Sequence, residues 1–127
     1  MQTLELVKEF HEKFGHPVKN TPDVKDLDTA TLRLELLMEE VLELGHALQT
    51  GDVVETFDAL CDIQYVLDGA FLALGFHNFK EAGVKEVHDS NMSKLGTNGK
   101  PIVREDGKIL KGPNYFPPDL ESILQSQ

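Results

Sequence analysis

The chain has 127 residues, a formal net charge of −10 and a single cysteine. This length predicts one domain, 1–127, and the acidic balance excludes nucleic acid as the main partner, because phosphate backbones are held by basic surfaces. The lone cysteine excludes an intramolecular disulfide framework, and no run approaches the roughly 20 apolar residues that span a bilayer, so we expect a cytoplasmic protein without a signal peptide.

Apolar residues recur at helical spacing through the first three quarters of the chain. They predict four helices, at about 4–14, 29–49, 53–74 and 79–94. Asp28 or Thr29 is expected to cap the second helix, and Gly51 marks a short turn before the third. Because this connection is so short, we expect the second and third helices to be antiparallel neighbours.

The last quarter of the chain has a different composition, richer in proline, glycine and lysine. Residues 101–104 and 108–111 predict two short strands around an Asp106-Gly107 turn. A last helical turn is expected from Asp119 to Leu124.

These elements place the chain in the all-α class. We expect a four- to five-helix antiparallel bundle over about 3–95, followed by a short C-terminal hairpin or an irregular tail over 96–127. The core of such a chain is thin for one helical layer, so association of two copies would help to bury its apolar surface.

The middle of the chain is acidic without any compensating base. From Leu34 to Phe79 there is no lysine or arginine. The same stretch holds nine acids: Glu35, Glu39, Glu40, Glu43, Asp52, Glu55, Asp58, Asp62 and Asp68. Acids set among apolar residues, with no cationic side chain nearby, predict a bound metal ion.

Two pairs of these acids have helical spacing. Glu40 and Glu43 are three apart and Asp58 and Asp62 are four apart, so each pair shares a helix face, and the Gly51 turn lets the two faces oppose each other. Two carboxylates about 6 Å apart repel by about 3 kcal/mol at an effective dielectric constant near 20. Four in one cluster form six pairs, on the order of 15 kcal/mol, which equals the stability of a typical domain.

Such a cluster exists only when it is partly protonated or bound to cations. Oxygen ligands alone favour hard ions, so the expected cofactor is Mg²⁺ or Mn²⁺. The alternative is that these are ordinary solvated helix acids, which are common on surface helices. A third interpretation, a di-iron site built on Glu43-x-x-His46, needs a second copy of that motif, which the chain lacks and which only a homodimer would supply.

Three segments carry a resemblance to a known superfamily. They are Leu37-Met-Glu-Glu-Val-Leu-Glu-Leu44, Asp58-Ala-Leu-Cys-Asp-Ile-Gln-Tyr-Val66 and Glu86-Val-His-Asp-Ser-Asn-Met-Ser-Lys-Leu95. With the first helix, they resemble the all-α nucleoside triphosphate pyrophosphohydrolases, which comprise MazG-like and phosphoribosyl-ATP pyrophosphohydrolase-like proteins. The resemblance implies a helical bundle, a homodimer or dimer of dimers, and Mg²⁺-dependent hydrolysis of a nucleoside triphosphate to the monophosphate and pyrophosphate.

The superfamily pattern, E-x-x-E, a spacer and E-x-x-D, indicates the metal ligands. Glu40 and Glu43 match its first half. In the second half, Asp62 matches the aspartate that precedes an apolar, aromatic-containing run, but Ala59 stands where a glutamate is expected. We therefore predict Glu40, Glu43, Asp58 and Asp62 as ligands, with Glu55 in reserve because Glu55 and Asp58 also form a literal E-x-x-D.

The resemblance further implies a water that attacks the α-phosphate in line. Glu39 and Glu43 are the predicted catalytic residues that orient or deprotonate this water. Asn91, Lys94 and Arg104 are predicted to bind phosphate oxygens, because the basic residues of this chain gather after position 94. Arg33 either binds phosphate or pairs with Glu35 or Glu39.

Two functions from different classes remain open from the sequence. The first is the nucleotide pyrophosphohydrolase. The second is a non-catalytic helical dimer or assembly module that binds cations incidentally, which Ala59 favours. The base and sugar of the substrate are not indicated, although phosphoribosyl-ATP ranks below non-standard nucleotides and deoxynucleotides.

Overall fold

A computed structural model describes residues 3–126, and its helices confirm the expected all-α class. Five α-helices lie in these residues: α1 (Thr3–Phe14), α2 (Leu27–Thr50), α3 (Val53–Ala73), α4 (Lys80–Met92) and α5 (Leu120–Gln125). A 3₁₀ turn at His77–Phe79 precedes α4. Strands β1 (Ile102–Val103) and β2 (Ile109–Leu110) form the predicted antiparallel hairpin, with Ile102 opposite Leu110.

The chain divides into two compact units, Met1–Asn78 and Phe79–Gln127. In the first unit, α3 packs against both α2 and α1. In the second unit, α4 packs against α5, and the Ser90 hydroxyl donates a hydrogen bond to the Phe116 carbonyl at 2.8 Å. The prediction of a single domain over 1–127 stays a prediction.

The N-cap of α2 is Asp26, so the prediction of Asp28 or Thr29 as the cap was wrong. The Asp26 carboxylate accepts from the Thr29 backbone N–H and from the Thr29 hydroxyl, which satisfies donors that the first turn leaves free. Lys19 also binds this carboxylate, at 2.9 Å, and that bond, followed by those from Thr29, lowers the pKa of Asp26 to about 2.

The loop between α1 and α2 folds back onto the C-terminal end of α3. The Lys19 and Asp23 backbone N–H groups donate to the carbonyls of Leu72 and Leu74, both at 2.9 Å, where the end of a helix leaves carbonyls unpaired. Gly75 adopts φ 83°, and a Cβ there would lie 2.0 Å from the Thr21 carbonyl oxygen, so only glycine permits this contact.

Few large side chains of the described residues are fully buried, and many apolar ones stay exposed on α2 and α3. No single helix of the described residues is long and apolar enough to cross a membrane.

Candidate metal centre

A tight turn between α2 and α3 brings the acidic segments of the two helices together. Gly51 adopts the left-handed conformation at φ 69°, and its N–H bonds to the carbonyls at the end of α2. The next residue, Asp52, caps α3 by accepting from the Glu55 N–H at 3.0 Å. Because the helices run antiparallel from this turn, Glu40 and Asp62 lie at similar distances from it and come to the same level.

Three carboxylates meet at this level. One oxygen from each of Glu40, Glu43 and Asp62 lies within 4.8 Å of the others. Glu40 and Asp62 are half-buried and Glu43 is exposed, so the cluster lies at the edge of the helix pair and one side faces solvent. The cluster combines both sequence segments that predicted a metal site.

Two carboxyl groups of this cluster have raised pKa values. Burial, and then the charges of Glu43 and Asp62, raise the pKa of Glu40. Burial, and then the charges of Asp58 and Glu43, raise the pKa of Asp62. Since the charged forms are disfavoured by burial and by like charges, a cation between these oxygens would relieve both effects.

One oxygen of the cluster has no partner. Glu40 Oε2 is buried and accepts no hydrogen bond from any described residue. A buried carboxylate oxygen without a donor is costly, whereas a hard cation would satisfy it directly. The all-oxygen donor set is therefore suited to a hard divalent cation, and three carboxylates leave further coordination positions open.

Asp58, the fourth predicted ligand, lies just outside this group. It is close enough to raise the pKa of Asp62 but is not among the three carboxylates that meet. It lines a cavity of about 720 Å³ that extends toward the Gly51 turn. The lining also includes Glu43, His46, Asp52 and Glu55, with no lysine or arginine.

Ala59, which stands where a glutamate is expected, is buried on α3. Its side chain is 3% exposed, and Ala47 on α2 is 4% exposed, in the wall of the same cavity. The alanine at 59 therefore supplies no ligand atom to the cluster. Glu39, the predicted water-orienting residue, is exposed beside Glu40 and is free of the cluster.

Arg33 is buried rather than exposed. Its Nη2 donates to His16 Nδ1 at 3.2 Å, and the side chain is 5% exposed. The expected alternative of an ion pair with Glu35 or Glu39 was wrong, because both acids are exposed while Arg33 turns into the interior, and it forms no ion pair in residues 3–126.

His11 is a buried residue close to Gly69, like Arg33, and no role was predicted for it from the sequence. It is 2% exposed, and Nδ1 bonds to the Pro17 carbonyl at 2.8 Å, so Nδ1 carries the proton. Burial lowers the pKa of His11. The hydrogen bond to the Pro17 carbonyl raises this pKa, and the charges of Arg33 and His16 lower it further. The available signal was its position four residues after Val7, on the buried face of α1.

The other predicted phosphate-binding residues lie in the second unit. Arg104 pairs with Asp106 across the hairpin turn, with Nε 2.9 Å from Oδ1. Asn91 is exposed near the end of α4, and Lys94 is half-buried just after it. Their roles stay predictions.

One comparison with known protein families agrees with the resemblance of the sequence. A family model described as phosphoribosyl-ATP pyrophosphohydrolase matches residues 7–91, which include all of α2 and α3. An uncharacterized protein of Acanthamoeba polyphaga mimivirus is 32% identical over 98 residues, which cover 74% of this chain. The chain spans only 39% of the length of that relative. A crystal structure of a candidate NTP pyrophosphohydrolase from Exiguobacterium sp. 255-15 is 25% identical, with 99% of this chain and 93% of that chain covered and a TM-score of 0.34.

Proposed function

This chain belongs to the phosphoribosyl-ATP pyrophosphohydrolase family, and from that premise we propose that it hydrolyses a nucleoside triphosphate, or a related nucleotide, between the α- and β-phosphates in a Mg²⁺-dependent reaction. The products would be the monophosphate and pyrophosphate. The observation that carries the proposal is the group of three carboxylates on α2 and α3, with the unpartnered buried oxygen of Glu40.

Glu40, Glu43 and Asp62 would hold the metal, and Asp58 would complete the set by a change of rotamer or through a water. Bound Mg²⁺ would supply positive charge that offsets the charge building on the phosphate oxygens. Glu43, the exposed member of the cluster, and Glu39, exposed beside it, would orient a water and accept its proton as oxygen attacks the α-phosphorus. The bond to the β-phosphate oxygen breaks, and pyrophosphate leaves.

The direct test is a panel of nucleoside triphosphates, deoxynucleotides and phosphoribosyl-ATP, assayed with and without Mg²⁺ or Mn²⁺. Pyrophosphate and orthophosphate are measured separately. We expect pyrophosphate as the first product, and only with metal present. Orthophosphate as the first product, or turnover that survives chelation, would refute the proposed bond cleavage.

We also propose that the chain works as a homodimer or a dimer of dimers, in a reducing cytoplasmic setting consistent with its single thiol. An apolar stripe on α2, formed by Leu34, Met38, Val41 and Leu48, is exposed. A second stripe on α3 is exposed as well, formed by Val53, Phe57, Leu60 and Leu67. Both have the three- and four-residue spacing by which helices pack on each other, and a lone chain rarely leaves so much apolar surface in water.

Phe57→Asp is expected to convert the dimer to a monomer. Phe57 is 70% exposed, and a carboxylate there would be buried without a partner in a dimer. Light scattering coupled to size exclusion measures the mass. Val24→Asp, at a 60% exposed loop position outside the stripes, is the matched control and should keep the wild-type mass. If the wild-type protein has the mass of a single chain in solution, the proposed dimer is contradicted.

A further inference from the structure

The guanidinium of Arg33 has more donors than partners. Its five N–H groups make one hydrogen bond in the described residues, from Nη2 to His16, and its Nε is buried and unpaired. The side chain is 5% exposed. Burial lowers the pKa of Arg33, but a guanidinium stays protonated in proteins, so this is a buried positive charge.

No acid of residues 3–126 neutralises this charge. The ion pairs there join lysines and Arg104 to aspartates, and none includes Arg33. This is unusual in a chain with 22 acids and 12 bases. An unpaired buried charge costs several kcal/mol, as an order of magnitude, so its retention indicates an anion that binds here.

The neighbours of Arg33 hold the guanidinium in place. His16 Nδ1 accepts a hydrogen bond from Nη2 at 3.2 Å. Gly69 on α3 makes room for the group, because a Cβ there would lie 3.3 Å from Arg33 Nη1 and 3.1 Å from His11 Nε2. His16 is exposed, so the residue that contacts Nη2 also meets solvent.

The position of Arg33 relative to the three carboxylates suits a nucleotide. Arg33 and Glu40 are seven residues apart on α2, which is about 10 Å along the axis, and Gly69 and Asp62 are seven apart on α3. The guanidinium therefore lies at the level of Gly69, two helical turns from the carboxylates. On the opposite side of the carboxylates, the cavity is lined by further acids, which repel phosphate.

We propose that Arg33, with His16 beside it, forms an oxyanion site for the β- and γ-phosphates, the pyrophosphate that leaves. The proposal rests on the proposed function, in which the α-phosphate is at the three carboxylates. A guanidinium with free N–H groups suits phosphate because it can donate two parallel hydrogen bonds. The site would bind pyrophosphate even where no hydrolysis occurs, which separates this inference from the proposed activity.

The test is calorimetric titration with inorganic pyrophosphate, without divalent metal, so that the acidic cluster contributes no affinity. We expect wild type to bind and Arg33→Met to lose about tenfold to a hundredfold in affinity, the value of hydrogen bonds to a charged group. Arg33→Lys, which keeps the charge but not the planar pair of donors, should be intermediate. Lys25→Met, which removes the same charge from an exposed side chain, should match wild type.

The thermal midpoint of each variant is measured alongside. Arg33→Met should melt no lower than wild type, because an unpaired buried charge has been removed. Gly69→Ala gives a second test, since its methyl group would crowd Arg33 and should also weaken pyrophosphate binding. Equal pyrophosphate affinity in wild type and Arg33→Met would overturn the site. The site would also be overturned if wild type bound no pyrophosphate and Arg33→Met lost the dimer. In that case the anion beside Arg33 would be a carboxylate of a second copy of the chain.

Discussion

Glu40→Gln is expected to abolish metal-dependent hydrolysis and, at the same time, to stabilise the metal-free protein. The amide removes one of three carboxylates whose oxygens lie within 4.8 Å of one another. It also removes the acid whose pKa is raised by burial and then by Glu43 and Asp62. Turnover should fall by at least 10² to 10³, in order of magnitude, since the charge that positions the metal beside the phosphate is lost.

The stability of this variant should also respond differently to pH. In wild type, the pKa values of Glu40 and Asp62 are raised in the folded state, so the folded chain binds more protons than the unfolded chain above the ordinary carboxyl range. Stability of the metal-free protein therefore falls as pH rises through that window. Glu40→Gln removes the part of this dependence that Glu40 carries and leaves the part of Asp62, whose pKa is raised by burial and then by the charges of Asp58 and Glu43.

Thermal melting across pH, with and without millimolar Mg²⁺, measures these effects. Wild type should gain stability from metal, because the ion binds only the folded state, and Glu40→Gln should gain little. Asp62→Asn should behave like Glu40→Gln. Asp58→Asn tests the fourth ligand. If Mg²⁺ raises the thermal midpoint of this variant as much as that of wild type, the ligand set is limited to the three carboxylates that meet. No metal-induced shift in wild type would count against the metal centre itself and favour the non-catalytic assembly module.

Glu39→Gln is expected to bind metal like wild type but to lose turnover by about 10² to 10⁴, the range for a positioned proton acceptor. Glu39 is exposed and adjacent to Glu40, yet it is not one of the three clustered carboxylates. An amide there keeps the shape of the side chain and can still hydrogen-bond, but it cannot take a proton from water.

The two readouts for Glu39→Gln are the Mg²⁺-induced thermal shift and kcat at saturating metal. Glu35→Gln, one helical turn earlier on α2 and also exposed, is the matched control and should change neither. Unchanged kcat in Glu39→Gln would remove its catalytic role and leave Glu43 as the sole predicted acceptor. If Glu39→Gln instead loses the Mg²⁺-induced thermal shift, Glu39 is a metal ligand.

Local sequence signals predicted the helices and the turn between α2 and α3 closely. Gly51 and Asp52 act as the expected stop and cap, because the left-handed backbone and the side-chain acceptor are properties of single residues. The end of α4 was placed about two residues too late, and the start of α2 was misplaced as well. Its cap, Asp26, also binds Lys19, which is a contact within a folded loop that spacing does not reveal.

For the candidate site, the sequence by itself determined the family and the two helix faces that carry the acidic cluster, because residues three or four apart share a face in any helix. Tertiary structure decided that Glu40, Glu43 and Asp62 meet while Asp58 stays outside, since that depends on how far α2 slides along α3. It also decided that Arg33 and His11 are buried together beside Gly69. Burial of a polar side chain depends on what packs over it, which here is α1 and the loop between α1 and α2. Local sequence patterns do not predict such packing.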